Sequence, residues 1–577
     1  MPFVISGAAR AALPSPPAAS SWRQRCVALW RAPRSPQAIV CVLAAWLVLV
    51  ANGALWARLG QADGYNGSLV LLRAAFAWLA LWGTVLLLGL TAWPRGMKPA
   101  WTVLLVVAAC AQHFMLAYGV VIDGGMVRNV LQTHASESAD LWSPGLAAHL
   151  LLVAGLPLAW LWQVPVRRAG AWRSLGRTGA LLLGASALLL LGVLGLYREL
   201  APVVRNNMAL RFAFNPVSPV LAVADVVIKP LLRRPRPRPF VSITAGAELG
   251  ASYGAAARPP LLVLVVGETA RADHFGLNGY ARDTTPELAR RGVLSWRDVR
   301  SCGTSTLQSV PCMFSHLGRE AFVRRAANHD NLLDVLRQAG LAVLWLDNQA
   351  GCKGVCERVP SASTEDAQDT AAGRRLCEGG ECLDELMLDG LDERIAALPE
   401  ARRRRGVVLV LHQMGSHGPA YHKRSSAGAK AFQPECRTHA LADCAREELV
   451  NVYDNSIRET DRFLAHTLDW LRARQARFDT GFLYLSDHGE SLGEMGLYLH
   501  GMPYAVAPEA QKRVPLVAWT GPLGKRTGID AGCLRGTLDA PLTHDHLYHT
   551  VLALMDVRSP TYRPGLDAFA PCRGSPA

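Results

Sequence analysis

Five long apolar segments in the first third of the chain constrain its fold more than any other feature. They cover residues 36–56, 69–93, 100–122, 144–163 and 178–196. Each is about long enough to cross the ~30 Å hydrocarbon core of a bilayer. Arg73 is the one charged residue that they contain. The pattern predicts five transmembrane helices rather than a cleavable signal peptide, because four further apolar segments follow the first.

The basic residues between these segments predict the orientation in the membrane. They precede the first segment and lie between the second and third and between the fourth and fifth: Arg23, Arg25, Arg31, Arg34, Arg95, Lys98, Arg167, Arg168, Arg173 and Arg177. The alternate connections, 57–68 and 123–143, contain fewer of them. Because basic loops stay in the cytoplasm, we expect a cytoplasmic N-terminus. Everything after about residue 200 then lies on the far side, which is the periplasm if the membrane is a bacterial inner membrane.

The formal net charge of +14 would also suit a nucleic-acid partner. We reject that interpretation, because much of the basic excess lies in the juxtamembrane loops and in the segment 233–238. The natural partners of such residues are the anionic headgroups of the inner-membrane lipids.

Ten of the 13 cysteines lie in the distal part of the chain. An even number in an oxidising compartment predicts disulfides. Pairing sequence neighbours gives Cys302–Cys312, Cys352–Cys356, Cys377–Cys382, Cys436–Cys444 and Cys533–Cys572. A thiolate zinc site is the less favoured alternative, because it needs reduced cysteines.

The composition changes along the chain and predicts four regions. These are a disordered cytoplasmic N-terminus (1–35), a membrane domain (36–196), a bridging region (197–258) and a periplasmic catalytic domain (259–577). In the last region, apolar runs alternate with helical patterns, which indicates an α/β domain with a mostly parallel sheet. One long helix is predicted near 445–475 and packs on the sheet through an apolar stripe.

Four apolar runs of this region end in polar residues of similar kinds. The residues that follow them are Glu268, Asp347 with Lys353 beyond, His412 with His417 beyond, and Asp487 with His488. Ligands of α/β sheets bind outside the carboxyl ends of the strands, and carboxylates and imidazoles are good zinc ligands. The four ends together predict a metal site, although Asp487 and His488 alone could equally be a helix cap beside an exposed histidine.

A stretch rich in hydroxyl groups, residues 301–315, is the candidate source of a nucleophile. A hydroxyl is a weak nucleophile unless a base or a metal lowers its pKa. By itself the stretch is ambiguous, since clusters of Ser and Thr usually form caps and turns.

Six motifs that follow one another along the chain resemble those of one family. They are Gly267–Asp273, Ser301–Thr306, Val310–Ser315, His412–Pro419, Ser486–Glu494 and His500–Pro503. The chain resembles the bacterial lipid A phosphoethanolamine transferases, a group that includes the mobile colistin-resistance enzymes and hence polymyxin resistance. The resemblance covers the membrane segments and the distal domain. It implies an α/β fold class in which a five-helix transmembrane domain precedes an alkaline-phosphatase/sulfatase-like α/β/α catalytic domain.

The resemblance also implies roles for individual residues. The implied Zn2+ ligands are Glu268, Thr306, Asp487 and His488, and Thr306 is the nucleophile. His417 and His500 are implied to take part in the reaction, and Lys353 and His412 to contact the phosphate. Asn129, Thr133 and Glu137 are implied to bind the donor headgroup. His412 could instead support its neighbours without touching substrate, and Lys353 could simply be solvated on a small loop. Glu490 and Glu494 are expected to orient the metal site or to cap a helix.

The implied reaction transfers phosphoethanolamine from phosphatidylethanolamine to a phosphate of lipid A, the anchor of lipopolysaccharide. It passes through a covalent Thr306 intermediate, releases diacylglycerol and needs no more than a monomer. Alternatives on the same scaffold are a transferase acting on a core sugar or another periplasmic glycan, a glycerophosphotransferase, a lipoteichoic-acid-type synthase, a phosphatase or a sulfatase. A sulfatase would need Cys or Ser in a Cys-x-Pro-x-Arg context, which the nucleophile stretch lacks. An alternative of another class is a non-catalytic membrane receptor or scaffold.

Overall fold

The structure is a computed structural model of the 577-residue chain. It describes residues 30–60, 68–93, 95–133, 138–139, 141–167, 169–233, 238–254 and 258–574. Most of the N-terminal segment 1–35, which we expected to be disordered, lies outside these ranges, and so does Glu137.

The membrane domain contains four helices that are long and apolar enough to cross a bilayer, or five if a bent pair counts as one span. The bent pair, whose axes differ by 49°, is α1 (Pro36–Val50) and α2 (Gly53–Leu59). The other helices are α3 (Leu69–Leu90), α4 (Met97–Ala117), the short α5 (Gly124–Gln132), α6 (Pro144–Leu150) continued through a π-helical turn by α7 (Leu156–Gln163), and α8 (Ala171–Asn206). Five apolar segments therefore form five spans only if the first crosses the membrane as a bent unit.

Two buried asparagines fasten the bend in the first span to the bridging region. Asn52, between α1 and α2, donates from its side-chain amide to the backbone oxygens of Leu47 and Asn215. The Asn215 amide donates in turn to Ala51 O and Ala108 O, each at 2.7 Å. These bonds join the bend to the bridging region and to α4, and they keep the amide donors of both buried side chains paired in lipid.

Helix α8 continues beyond the apolar segment to Asn206, so the first residues that we assigned to the bridging region are helical. It then forms α9 (Val217–Val223), a π-helical turn and α10 (Lys229–Arg233). Its last part is tied to the catalytic domain by two pairs of short strands. Phe240–Val241 pairs with Asn328–His329, and Glu248–Leu249 pairs with Val557–Arg558.

An eight-stranded sheet forms the centre of the catalytic domain. Its strands are β1 (Pro260–Gly267), β2 (Leu294–Arg300), β3 (Ala342–Asp347), β4 (Ser361–Ser363), β5 (Val407–His412), β6 (Asp479–Ser486), β7 (Arg513–Trp519) and β8 (Leu542–Thr543). Their order across the sheet is β8-β2-β7-β6-β1-β5-β3-β4. Strand β7 is antiparallel to both of its neighbours and the other pairs are parallel, which confirms a mostly parallel sheet.

Helices cover the two faces of this sheet. They are α11 (Pro286–Arg290), α12 (Thr306–Met313), α13 (Arg319–Arg324), α14 (Leu332–Gln338), α15 (Gly373–Leu376), α16 (Leu391–Ala396), α17 (Glu400–Arg403), α18 (Arg446–Arg472), α19 (Gly521–Arg526), α20 (Ala531–Arg535) and α21 (Asp545–Leu554). Alternate residues of β1 enter opposite cores, with Leu262 and Leu264 on one face and Leu261 and Val263 on the other. The long helix predicted near 445–475 is α18, and its apolar stripe packs in the second of these cores.

The strand register brings the carboxyl ends of the central strands to one edge. Gly267 at the end of β1 is opposite Ser486 at the end of β6, and His412 at the end of β5 is opposite Asp347 at the end of β3. The residues that follow these strands therefore meet at this edge.

All five expected disulfides are present and are confirmed.

Candidate metal centre and active site

Glu268, Asp487 and His488 meet where β1 and β6 end, and all three are buried. His488 Nε2 lies 3.4 Å from Glu268 Oε1 and 3.3 Å from Asp487 Oδ2. One ligand atom from each residue falls within 4.8 Å of the other two. Two carboxylates and an imidazole in such proximity form a donor set suited to zinc.

The histidine of this cluster is held in the tautomer that a metal requires. His488 Nδ1 lies 2.9 Å from the backbone oxygen of Gly489, which can only accept a hydrogen bond. Nδ1 therefore carries the proton, and Nε2 keeps its lone pair directed at the two carboxylates. A backbone carbonyl that fixes the ring in this way is the usual partner of a metal-binding histidine.

The two carboxylates have opposite pKa shifts. Burial alone would raise the pKa of Glu268, but the rings of His488, His417 and His500 and the Thr269 hydroxyl lower it to about 2. Burial and the charge of Glu268 raise the pKa of Asp487 well above its ordinary value. Asp487 Oδ2 also accepts no hydrogen bond from the described residues. A divalent cation would both occupy this oxygen and allow the two groups to ionise together, so the residues present fit a zinc ion.

Thr269 holds Glu268 in place through a backbone conformation that β-branched residues rarely adopt. Its φ is +61°, and its hydroxyl donates to Glu268 Oε1 at 2.5 Å. Its carbonyl oxygen accepts a hydrogen bond from Tyr453 OH, and its N–H donates to Asp487 Oδ1. Such conformations persist where the surroundings impose them, often at functional sites.

Thr306 is the first residue of α12 and points its hydroxyl at the cluster. Oγ1 donates to Glu268 Oε2 at 3.0 Å and lies 3.5 Å from His488 Nε2. The Cys302–Cys312 disulfide spans the loop before the helix and the helix itself. Negative charge that develops beside Thr306 would face the positive end of the α12 dipole.

His417 and His500 stand beside this cluster. The ring centroid of His500 lies 4.3 Å from that of His488 and 5.3 Å from that of His417. His500 Nδ1 lies 3.3 Å from Glu490 Oε1, and Tyr421 OH donates to the other oxygen of this carboxylate. Glu490 therefore orients His500, whereas Glu494 pairs with Arg271 at 2.6 Å.

Residues on the loop after β3 approach the cluster from another side. Lys353 has a φ of +51°, is bracketed by the Cys352–Cys356 disulfide and donates from Nζ to Ala350 O. Gln349 donates from Nε2 to Glu268 Oε2 at 3.0 Å. Gln349 was missed in the sequence, and its place shortly after a strand end is the signal that could have found it.

His412 lies apart from these residues. It is completely buried, its Nδ1 lies 3.1 Å from Asp347 Oδ2, and its ring contacts Trp345. Burial alone would raise the pKa of Asp347, but His412 and further hydrogen bonds lower it overall. His412 does not line the cavity described below, so its predicted contact with phosphate stays a prediction.

A cavity of about 440 Å³ opens from the metal cluster toward the membrane domain. Its polar end is formed by Thr306, Gln349, Lys353, His417, Arg424 and His500. Its apolar walls come from the membrane domain and include Phe114, Tyr118, Met126, Leu146 and Leu150. A cavity that is polar at one end and apolar at the other suits an amphiphilic substrate.

Two expected donor-headgroup residues line this cavity from α5 and its end. Asn129 and Thr133 stand one helical turn apart, and Thr133 Oγ1 donates to Asn129 O at 2.8 Å. Asp123 caps the start of α5 by accepting from Met126 N–H at 2.8 Å. Six of the predicted site residues thus line one cavity, namely Asn129, Thr133, Thr306, Lys353, His417 and His500. Glu268 and His488 contact Thr306 at its polar end together with Asp487, and His412 is not part of the lining.

Two more polar groups that sequence reasoning missed support the site. Arg424 makes a two-pronged ion pair with Glu381, at 3.0 and 3.1 Å, and donates from Nε to His417 O. The other group is His544, which is completely buried. It accepts from Cys302 N–H and donates to Ser486 O, so it joins the loop that precedes Thr306 to the end of β6.

Comparisons with known proteins agree with this architecture. The family model "Sulfatase" matches residues 260–557, and the model "Phosphoethanolamine transferase EptA/EptB" matches residues 80–231. Together they cover the cavity-forming parts of both domains.

Full-length relatives extend the similarity over almost the whole chain. Phosphoethanolamine transferase EptA of Escherichia coli K12 is 36% identical over 92% of this chain and 97% of its own length. Phosphatidylethanolamine transferase Mcr-1 of Escherichia coli is 37% identical over 93% and 97%. The solved integral membrane lipooligosaccharide phosphoethanolamine transferase A of Neisseria meningitidis superposes with a TM-score of 0.86 at 34% identity, covering 93% of this chain and 98% of that one. The fold class is thereby confirmed, and the chain belongs to the phosphoethanolamine transferase family.

Proposed function

We propose that the chain transfers phosphoethanolamine from phosphatidylethanolamine to a phosphate of lipid A at the periplasmic face of the bacterial inner membrane. The observation that carries the proposal is the position of Thr306 Oγ1. It lies 3.0 Å from Glu268 and 3.5 Å from His488, at the polar end of a cavity whose apolar walls belong to the membrane domain. The names of the relatives, which include phosphatidylethanolamine and Kdo(2)-lipid A transferases, support both substrates.

Glu268, Thr306, Asp487 and His488 would hold the Zn2+. The bound ion would lower the pKa of the Thr306 hydroxyl and offset the negative charge of the phosphate. His488 is already in the required tautomer, and Asp487 Oδ2 has no other partner among the described residues.

In the first half-reaction, Thr306 Oγ1 gives its proton to His417 or His500 and attacks the phosphorus of phosphatidylethanolamine. The bond from phosphorus to the glycerol oxygen breaks, and that oxygen takes a proton from His417 or His500 as diacylglycerol leaves. Lys353 is placed to stabilise the phosphate oxygens, because it lines the same end of the cavity. Phosphoethanolamine is then attached to Thr306 through oxygen.

In the second half-reaction, a phosphate oxygen of lipid A attacks the same phosphorus. The bond from phosphorus to Thr306 Oγ1 breaks, and Thr306 Oγ1 takes a proton from His417 or His500, which water then reprotonates. Both substrates are amphiphiles, which explains why a polar site joins an apolar cavity. The added ammonium group would reduce the negative charge of lipid A and so weaken its attraction for cationic polymyxins.

A variant of the nucleophile tests the proposal. Thr306→Ala should abolish the phosphoethanolamine mass gain of lipid A in cells that express the full chain. Among the described residues, Thr306 has the one hydroxyl that lies within 3.5 Å of both Glu268 and His488. Zinc should be largely retained and the disulfides should be unchanged, since three of the four proposed ligands, Glu268, Asp487 and His488, remain. Mass spectrometry of extracted lipid A measures the outcome.

Thr370→Ala is the matched control, because Thr370 is exposed on the surface and far from the metal cluster in sequence. This variant should keep the mass gain. Near-normal modification by Thr306→Ala would contradict the assignment of the nucleophile. An unmodified lipid A with a modified core sugar would instead favour the alternative acceptor. Activity that survives complete removal of zinc by a chelator would exclude the metal-dependent mechanism.

A further inference from the structure

The loop that carries His500 lies between the two domains. It covers residues 493–507, and we call it the His500 loop. Two of its residues, Met495 and Leu499, have φ values of +53° and +62°. Non-glycine residues rarely adopt this conformation unless their surroundings impose it. The contacts of the loop on both sides show what imposes it.

The membrane domain contacts the loop through the segment after α4. Tyr498 N–H donates to Tyr118 O at 2.8 Å. The Tyr118 hydroxyl reaches further into the catalytic domain and donates to His439 O at 3.1 Å. Val121 packs with Met502 and Ala507 in one buried cluster. The segment 118–121 therefore contacts the His500 loop on both sides of His500.

Gly119 is the point of closest approach between the segment and the loop. A Cβ added to Gly119 would lie 2.3 Å from Gly496 O and 3.1 Å from Leu497 Cα. Its φ of +67° also disfavours any other residue. Only glycine allows the backbone of the membrane domain to lie against the His500 loop in this way.

Arg58 of α2 fixes the segment from the membrane side. Its guanidinium donates to the backbone oxygens of Gly119 and Val120. These bonds orient two carbonyl groups that belong to no helix, and so they hold the segment in the position that the loop contacts.

The opposite side of the loop contacts Thr304, in the segment that leads to the proposed nucleophile. Gly501 N–H donates to Thr304 O at 2.7 Å, and Thr304 Oγ1 donates to Met502 O at 2.6 Å. Thr304 lies two residues before Thr306, the first residue of α12. A continuous set of contacts thus runs from Arg58 through Gly119 and the His500 loop to the nucleophile.

We infer that Gly119 and Arg58 are positioning residues that set the place of His500 relative to Thr306. Docking of the membrane domain would then complete the active site as well as present the lipid. The inference rests on the proposed function, because it assigns His500 a part in the transfer. If Gly119 and Arg58 served lipid access alone, their replacement would leave the rate on a soluble substrate unchanged.

The test uses the full chain in detergent with a soluble nitrophenyl phosphodiester of ethanolamine, which needs no lipid cavity. Gly119→Ala should lower kcat on this substrate at least about tenfold, the order of effect expected when an acid or base is displaced. Gly96→Ala is the matched control, since Gly96 flanks the other end of α4 and its added Cβ would meet no atom within 4 Å. It should change kcat less than about twofold, because a surface substitution of this kind costs little.

A second comparison separates positioning from general damage. In a His500→Ala background, Gly119→Ala should cost less than about twofold, because residues that act through one group are not additive. An equal cost in both backgrounds would overturn the inference. So would unchanged kcat on the soluble substrate in the presence of His500.

Arg58→Met keeps the test decisive if Gly119→Ala does not fold. It removes the hydrogen bonds to Gly119 and Val120 without adding a clash. It should lower kcat in the same direction, again only when His500 is present, and equal kcat for Arg58→Met and the parent chain would overturn the inference. Equal turnover by the parent and Thr306→Ala would instead refute the proposed function itself.

Discussion

Gly267 separates β1 from Glu268 at a point where a side chain would not fit. A Cβ there would lie 2.5 Å from the hydroxyl oxygen of Tyr484, whose ring is fully buried under the metal cluster. Tyr484 belongs to the central strand β6, which cannot move without shifting Ser486 and Asp487 as well. The glycine therefore allows Glu268 to reach the position that the cluster needs.

Gly267→Ala should lower the free energy of unfolding by roughly 1–3 kcal/mol, the usual cost of overpacking a core. It should also lower zinc affinity, because Glu268 would be displaced. Denaturant unfolding and zinc titration of the full chain measure both effects. Gly565→Ala, where an added Cβ would meet no atom within 4 Å, should change neither quantity.

Gln349 acts on the same carboxylate from the opposite side. Its amide donates to Glu268 Oε2, the oxygen that also accepts the Thr306 hydroxyl. Gln349→Leu should weaken zinc binding or activity by about 10–100-fold, as expected when a partner that orients a metal ligand is lost. Competition with a chromophoric chelator measures the affinity. The exposed Gln338→Leu is the control, and equal affinities of the two variants would exclude an orienting role.

At the scale of elements, the site depends on the hydrogen bonds that join the loop before Thr306 to the end of β6. His544 at the start of α21 provides that connection, with its Nδ1 on Cys302 N–H and its Nε2 on Ser486 O. Burial lowers the pKa of His544 from 6.5 to about 4. The neutral ring is the form that can accept one bond and donate the other.

This shift predicts a pH dependence of stability. Between about pH 6.5 and pH 4 the unfolded chain binds a proton that the folded chain excludes, so the free energy of unfolding falls as the pH falls. A shift of this size corresponds to at most about 3 kcal/mol. His544→Gln retains a donor and an acceptor but does not titrate, so this variant should lose about that much less stability between pH 7 and pH 4 than the parent chain.

Denaturant unfolding of the full chain at several pH values checks the expectation. The exposed Gln338→Leu, which removes no titratable group, is the control and should leave the slope of the parent chain unchanged. An identical slope for His544→Gln and the parent would show that His544 is not the group responsible.

At the scale of the whole molecule, neither domain encloses the cavity by itself. The metal cluster belongs to the catalytic domain, whereas the apolar walls at Phe114, Leu146 and Leu150 belong to the membrane domain. Two short strands of the bridging region, at 240–241 and 248–249, pair with strands of the catalytic domain that lie outside the eight-stranded sheet. The division suggests which functions each part could keep alone.

A chain that begins at residue 238 should keep zinc binding but transfer nothing from phosphatidylethanolamine. The proposed zinc ligands all lie in the retained part, and the apolar cavity walls contributed by the membrane domain do not. Zinc content by atomic absorption and transfer in mixed micelles measure the two properties. Transfer at a rate near that of the full chain would show that the membrane domain contributes no substrate contact.

The sequence predicts the parts of this protein that have a local signature. The length of an apolar segment indicates a span, and an apolar run that ends in Glu268 or in Asp487 and His488 indicates a strand whose polar end faces the site. Near neighbours also predict the disulfides correctly. The bend between α1 and α2 was not predicted, because Asn52 and Asn215, which stabilise it, are 163 residues apart.

The tertiary structure alone decided which distant groups support the site. Gln349 and Glu268 are separated by 81 residues, His544 and Cys302 by 242, and Tyr118 and His439 by 321. A hydrogen bond over such a distance leaves no periodicity or spacing in the chain, because either partner alone resembles an ordinary polar residue of a loop. The sequence by itself therefore determined the fold class and the candidate metal ligands, and the folded chain determined how the membrane domain and the catalytic loops hold them in place.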